Sequence, residues 1–118
     1  MTKLIFVYGT LKKGHYNHYI LEHDNVKFLG DATLNGYAMW KIFSYPAIYP
    51  ESNYNVKGEV YEVPEDIFDE IDELETMYNY HPETVSVTTN SQTHDDVIVF
   101  VWNRKPNEFE LIDDGNFK

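Results

Sequence analysis

The stretch Val56–Tyr78, VKGEVYEVPEDIFDEIDELETMY, changes its period at Pro64. Up to Val63 the residues alternate, with Val56, Gly58, Val60 and Glu62 on one side and Lys57, Glu59, Tyr61 and Val63 on the other, as in a strand. Pro64-Glu65-Asp66 then opens a helix: proline suits its first position, and the two acids complement its positive end. At about 100° per residue, Ile67, Ile71, Leu74 and Tyr78 share one arc, with Phe68 on the same side. Glu65, Asp66, Asp69, Glu70, Asp72 and Glu73 fall outside that arc and make a solvated face. A strand that runs straight into an amphipathic helix implies an α+β unit.

Working outward, Lys3–Val7 reads as a buried strand ending at Tyr8-Gly9-Thr10-Leu11. His15–His23 has helical spacing, with Tyr16, Tyr19 and Ile20 on one face. Leu29–Leu34 and Tyr37–Ile42 are two short runs separated by Asn35-Gly36, a strong hairpin signal. Ser44–Asn55 carries Pro46 and Pro50 and reads as loop around a brief Ala47-Ile48-Tyr49 segment. Glu83–Thr89 and Val97–Trp102 form a second hairpin around Asn90-Ser91-Gln92, and the tail is polar. About six short strands and two helices give one α+β domain over residues 1–118, with a sheet that curls or closes.

At 118 residues, such a chain buries about 65% of its unfolded surface, enough for a core without metal or disulfide staples. With no cysteine, a disulfide framework, a thiolate metal site and a cysteine nucleophile are excluded together. The reading is of a cytoplasmic protein. No apolar stretch approaches the ~20 residues that span a bilayer, so no membrane partner is expected, and the N-terminal apolar run is too short for a signal-peptide core. Twenty acidic residues against nine basic ones, net −11, repel phosphate backbones, so nucleic acid is not an expected partner. Ten tyrosines and seven phenylalanines suggest a core or pocket with polar tips, because buried tyrosine hydroxyls need partners.

One acid of the helix is out of place. Glu75 projects between Ile71 and Phe68, inside the apolar arc, if the helix is regular that far. A carboxylate held there loses water, and it sits at the helix end where the dipole disfavours negative charge. Both effects raise its pKa toward that of a general base near neutrality. The alternative is a helix that ends at Leu74, with Glu75 turned into solvent. His15, His18 and His23 have some look of a metal cluster. No carboxylate sits at an obvious helical spacing to His15 and His18 as a third zinc ligand, although Glu22 is four residues past His18, so no metal is expected. No serine sits in a Gly-x-Ser-x-Gly elbow. Gly9 and Gly14 have P-loop spacing, but His15 and Tyr16 replace the Lys and Ser/Thr that would follow. Tyr8-Gly9-Thr10-Leu11 has two readings: a glycine-assisted strand end, or converging backbone N–H groups that form a nest for a carboxylate.

Val7-Tyr8-Gly9-Thr10-Leu11-Lys12-Lys13-Gly14, followed by Asn17-His18, resembles the N-terminal signature of the gamma-glutamylcyclotransferase-like family. The resembling branch includes gamma-glutamylamine cyclotransferases and the butirosin-pathway enzyme. Leu34-Asn35-Gly36-Tyr37, Tyr45-Pro46-Ala47-Ile48 and Val56-Lys57-Gly58-Glu59-Val60-Tyr61 resemble further family segments. Ile71-Asp72-Glu73-Leu74-Glu75 resembles the helix end with the catalytic glutamate, and Gly115-Asn116-Phe117 resembles a closing Gly-Asp-Trp. The resemblance implies a small mixed β-barrel flanked by helices, with a pocket at its mouth. It implies release of 5-oxoproline from a gamma-glutamyl amine or peptide, a small-molecule substrate, without a cofactor. Glu75 would be the base, and Tyr8, Gly9, Thr10 and Leu11 would bind the glutamyl end. The chain departs from the family where Thr76 replaces a glycine and where Tyr78–Glu83 lacks an arginine. Those departures leave room for a non-catalytic binding module using the same pocket. A third reading is an interaction domain whose acidic helix meets a basic partner.

Overall fold

The computed structural model describes residues 1–90 and 92–118. In chain order it forms β1 (Thr2–Val7), a 3-10 helix (His18–Leu21), β2 (Lys27–Ile42), β3 (Tyr45–Pro64), α1 (Glu65–Met77), β4 (Tyr80–Thr89), β5 (Thr93–Trp102) and β6 (Glu110–Ile112). The pairing order β3-β1-β5-β4-β2 closes through a β2–β3 pairing, and β6 adds to β2. The result is a closed five-stranded mixed barrel with one α-helix. The β1–β5 pair is parallel and every other pair is antiparallel.

Closure depends on two long strands that bend. β2 and β3 run 16 and 20 residues, and their register slips between Phe28 and Gly30 and again between Asn35 and Tyr37. Such bulges bend a strand and raise its twist, so one strand can serve different neighbours along its length. Asn35-Gly36 is therefore not a hairpin. Gly36, at φ 86°, takes a backbone setting that side chains resist, and spends it on a bulge within continuous β2. The turn lies eight residues on, where Ile42 pairs with Tyr45 across Phe43-Ser44, with Phe43 at φ 56°.

Ser44–Asn55, expected as loop, is mostly the first half of β3. Pro46 pairs with Lys41 and Pro50 with Tyr37, while the β1 side of β3 is engaged only from Glu59 onward. With one sheet neighbour, that half has an open side on which a missing N–H costs no ladder bond. The expected second helix shrinks to the 3-10 turn His18–Leu21, with Ile20 and Leu21 buried. The β4–β5 hairpin forms as expected, although part of its turn, Ser91, lies outside the described residues.

Val56, Val60 and Val63 of β3 and Val97, Val99 and Val101 of β5 are all fully buried. The helix covers this core with Ile67, Phe68 and Ile71, and Phe68 stacks on Phe100 with ring centroids 6.1 Å apart. Pro64 occupies the N-cap rather than the first helical position, and Glu65 and Asp66 fill the first turn. Among the described residues, no helix is long and apolar enough to cross a membrane.

Candidate active site

The register of β1 and β3 determines where α1 can deliver a side chain. Thr2 pairs with Pro64 and Val7 with Glu59, so α1 starts at the end of the barrel where β1 begins. From there Glu75 lies about 15 Å along the helix axis, and Val7 lies about 17 Å along β1. The two elements thus come level where β1 runs out. There a cavity of about 130 Å³ opens, lined by Tyr8, Gly9, Thr10 and Leu11 on one side and Ile71, Leu74, Glu75 and Tyr78 on another. All five residues singled out in the sequence line this one cavity.

The helix continues through Glu75 to Met77, and Tyr78 N–H closes back onto the Glu75 carbonyl at 3.0 Å. Glu75 therefore keeps its place in the apolar arc, half-buried against the cavity, and the reading in which it turns into solvent falls away. Burial pushes its carboxyl from the ordinary 4.5 to about 7, with no opposing cation or hydrogen bond among the described residues. A group so placed is ionised about half the time at neutral pH and can both take and return a proton.

The Tyr8–Leu11 loop is tied at its base and open along its rim. Lys12 N–H donates to the Gly9 carbonyl at 3.0 Å, and Asn17 N–H to the Thr10 carbonyl at 3.0 Å. Asn17 Nδ2 donates to Thr10 Oγ1, also at 3.0 Å. Among the described residues, the N–H groups of Gly9, Thr10 and Leu11 have no acceptor. Successive free amides of this kind suit an anion. Gly9 is needed for a steric reason: a Cβ there would stand 2.7 Å from Pro46 Cγ.

Tyrosines form much of the remaining wall. Tyr8 Oη donates to the Phe100 carbonyl at 2.6 Å, and Tyr80 Oη donates to the Pro46 carbonyl. Burial first, then Tyr80 and the Glu75 charge, hold the Tyr8 hydroxyl well above its usual range. Tyr80 is likewise raised by burial and then by Glu75. Both stay protonated and act as donors. Tyr80, Tyr45, Pro46, Tyr16 and Asn17 also line the cavity. Periodicity placed Tyr16 on a helical face but assigned none of them to a site, and Tyr45 and Pro46 lie in a strand that reads as loop. The available signals were the number of tyrosines and the family-like segments that contain Asn17 and Tyr45-Pro46. No Lys or Arg is among the lining residues.

The histidines have other roles. His18 Nδ1 meets the Leu11 carbonyl at 2.8 Å, the His15 ring packs on Phe117, and His23 Nδ1 accepts from Asn25 N–H. Among the described residues, no group of three or more His, Cys, Asp or Glu is arranged to hold a metal.

Residues 5–118 match the model of the family described as gamma-glutamyl cyclotransferase, AIG2-like. A Vibrio cholerae protein whose name marks it as a candidate gamma-glutamylcyclotransferase is 31% identical over 119 residues, covering 99% of this chain and 96% of the relative. The crystal structure of an uncharacterised Pyrococcus horikoshii protein superposes with a TM-score of 0.76 at 32% identity, covering 97% of this chain and 88% of that one. A mouse AIG2-like protein shares the fold with a TM-score of 0.82 at 23% identity, covering 99% and 88%.

Proposed function

We propose that this chain, which belongs to the AIG2-like gamma-glutamyl cyclotransferase family, releases 5-oxoproline from a gamma-glutamyl amine or peptide with Glu75 as general base. The observation that carries the reading is the pairing of two unlike features in one cavity. One is a carboxyl held near neutrality by burial, and the other is a run of backbone N–H groups without acceptors.

The substrate's α-amine attacks its own γ-carbonyl. A C–N bond forms to close the five-membered ring, and the γ-amide C–N bond breaks. Between ammonium and lactam N–H the α-nitrogen gives up two protons, and the leaving nitrogen gains two to depart as an ammonium ion. Glu75 passes them in turn from one nitrogen to the other, so protons balance without water or an enzyme nucleophile. The Gly9–Leu11 amides grip the glutamyl carboxylate, since no cationic side chain lines the cavity to do so. Holding the chain bent supplies much of the rate, because well-oriented intramolecular reactions reach effective molarities of about 10⁵ M or more. The Tyr8 and Tyr80 hydroxyls are committed to backbone carbonyls and shape the cavity floor.

The test is a panel of gamma-glutamyl amines and gamma-glutamyl amino acids incubated with the protein, with 5-oxoproline followed by mass spectrometry. Product from at least one substrate, absent with Glu75→Gln, is the expected result. Thermal stabilisation by a substrate without turnover would instead favour the binding module, consistent with the departure at Thr76.

A further inference from the structure

The loop that lines the cavity is anchored by an unusual group. Lys12 follows Leu11 directly, yet it does not line the site cavity and is only 8% exposed. Burying an ammonium is costly unless its protons are used. Here Nζ donates 2.6 Å to the Phe117 carbonyl and 3.2 Å to Asn116 Oδ1, partners more than a hundred residues away in sequence. Burial lowers the pKa of Lys12, while Glu59 and Asp31 push it back up. Three residues further along the loop, the His15 ring packs on the Phe117 ring with centroids 5.2 Å apart.

The tail that receives Lys12 is itself seated on the barrel. The Gly115 carbonyl accepts from Lys57 N–H at 2.8 Å. Gly115 has φ 66°, and a Cβ on it would stand 2.0 Å from the Asn55 carbonyl oxygen. The chain from Gly115 to Phe117 therefore connects the rigid β3 wall to the back of the loop. Lys13 N–H adds a second tie to β3, donating 3.1 Å to Glu59 Oε1.

From this geometry we infer that Lys12 is a positioning residue: its ammonium clamps the cavity loop onto the C-terminal tail and so sets where the Gly9–Leu11 amides stand. The inference builds on the loop's proposed role as the substrate grip, but it concerns loop order and is tested without turnover. Lys12→Met keeps the length of the side chain and removes the donor, and Phe117→Ala loosens the tail from the other side. Amide hydrogen exchange is followed by NMR at Lys12, His15 and Asn17, whose N–H bonds close the loop, with Val97–Val101 of β5 as the reference. Loss of a charge-assisted hydrogen bond should speed loop exchange in Lys12→Met by about tenfold or more. Phe117→Ala should move the same amides, and the double variant should add little to the larger single effect. The β5 amides should keep their rates, and where a substrate is turned over, KM should rise more than kcat falls. Wild-type loop exchange in Lys12→Met, multiplying effects in the double variant, or equal acceleration in β5 would each overturn the clamp. Absence of turnover with every substrate would instead sink the cyclotransferase reading and leave the exchange result standing.

Discussion

Replacing Glu75 with Gln should make the protein more stable above neutral pH while removing the proposed cyclotransferase turnover. In the unfolded chain this carboxyl titrates near its ordinary 4.5, and in the folded protein burial raises it to about 7. Between those values the folded chain holds a proton that the unfolded chain has released, so stability falls as pH climbs through the window. Below about pH 4 both states are protonated and the group contributes no pH dependence. Above pH 7 the full cost of ionising a buried carboxyl is present, with a ceiling of about 3 kcal/mol. Glu75 is half-buried rather than sealed, and water at the cavity mouth screens it, so about 1–2 kcal/mol is the expected cost. Glutamine has nearly the same shape and never ionises. The variant should therefore match wild type near pH 4 and exceed it at pH 8.5 by that amount, or by about 4–8 °C in melting temperature for a domain of this size. Urea or thermal unfolding at the two pH values reads the difference directly. A stability gap that is absent at pH 8.5, or equal at both pH values, would refute the assignment of Glu75 as a desolvated carboxyl.

Three further outcomes follow from the same cavity. If Glu75 is the base, kcat/KM should fall about tenfold per pH unit below its pKa of about 7, and a profile flat from pH 5 to 8 would count against it. Gly9→Ala, whose new Cβ meets Pro46 at 2.7 Å, should cut 5-oxoproline formation far more than Thr10→Ala, because on the proposed reading the loop acts through its backbone. Equal losses in steady-state assays would contradict that. Tyr8→Phe strands the Phe100 carbonyl in the core, and urea unfolding should show a loss of about 1–3 kcal/mol. An unchanged midpoint would mean that carbonyl finds another donor.

What could be read from the sequence depended on whether a signal was local. The switch at Pro64 from period 2 to period 3.6 located β3's second half and α1 because both patterns lie within a few turns of chain. Glu75 was legible for the same reason: a helix wheel needs only its neighbours. The first half of β3 was not legible, since whether Pro46 and Pro50 interrupt a strand depends on which side of it is paired. Asn35-Gly36 misled in a related way. The dipeptide does provide a positive φ at Gly36, but whether that makes a turn or a bulge is decided by the partner strand. Tyr80 and Tyr45 were missed as wall residues because their meeting with Tyr8 is a product of barrel closure. The clamp on Lys12 lay further still from local pattern, joining the two ends of the chain.

The charge distribution around the cavity accounts for two properties at once. A lysine or arginine beside Glu75 would favour its ionised form and draw its pKa back toward the ordinary carboxylate range, leaving a weaker base. Yet a glutamyl substrate brings a carboxylate that needs compensation. Backbone N–H groups resolve this conflict, because they bind an anion through dipoles that fall off faster with distance than a full charge does. Lys12 is the cation nearest to the loop in sequence. The structure turns it to the back of the loop, where it makes two hydrogen bonds to the tail. On the proposed reading, the same side chain orders the amides that would bind the anion and keeps its charge away from the carboxyl that would act as base. On this argument the absence of cationic side chains from the lining belongs to the chemistry of the site, and a cation introduced at Thr10 should lower the pKa of Glu75.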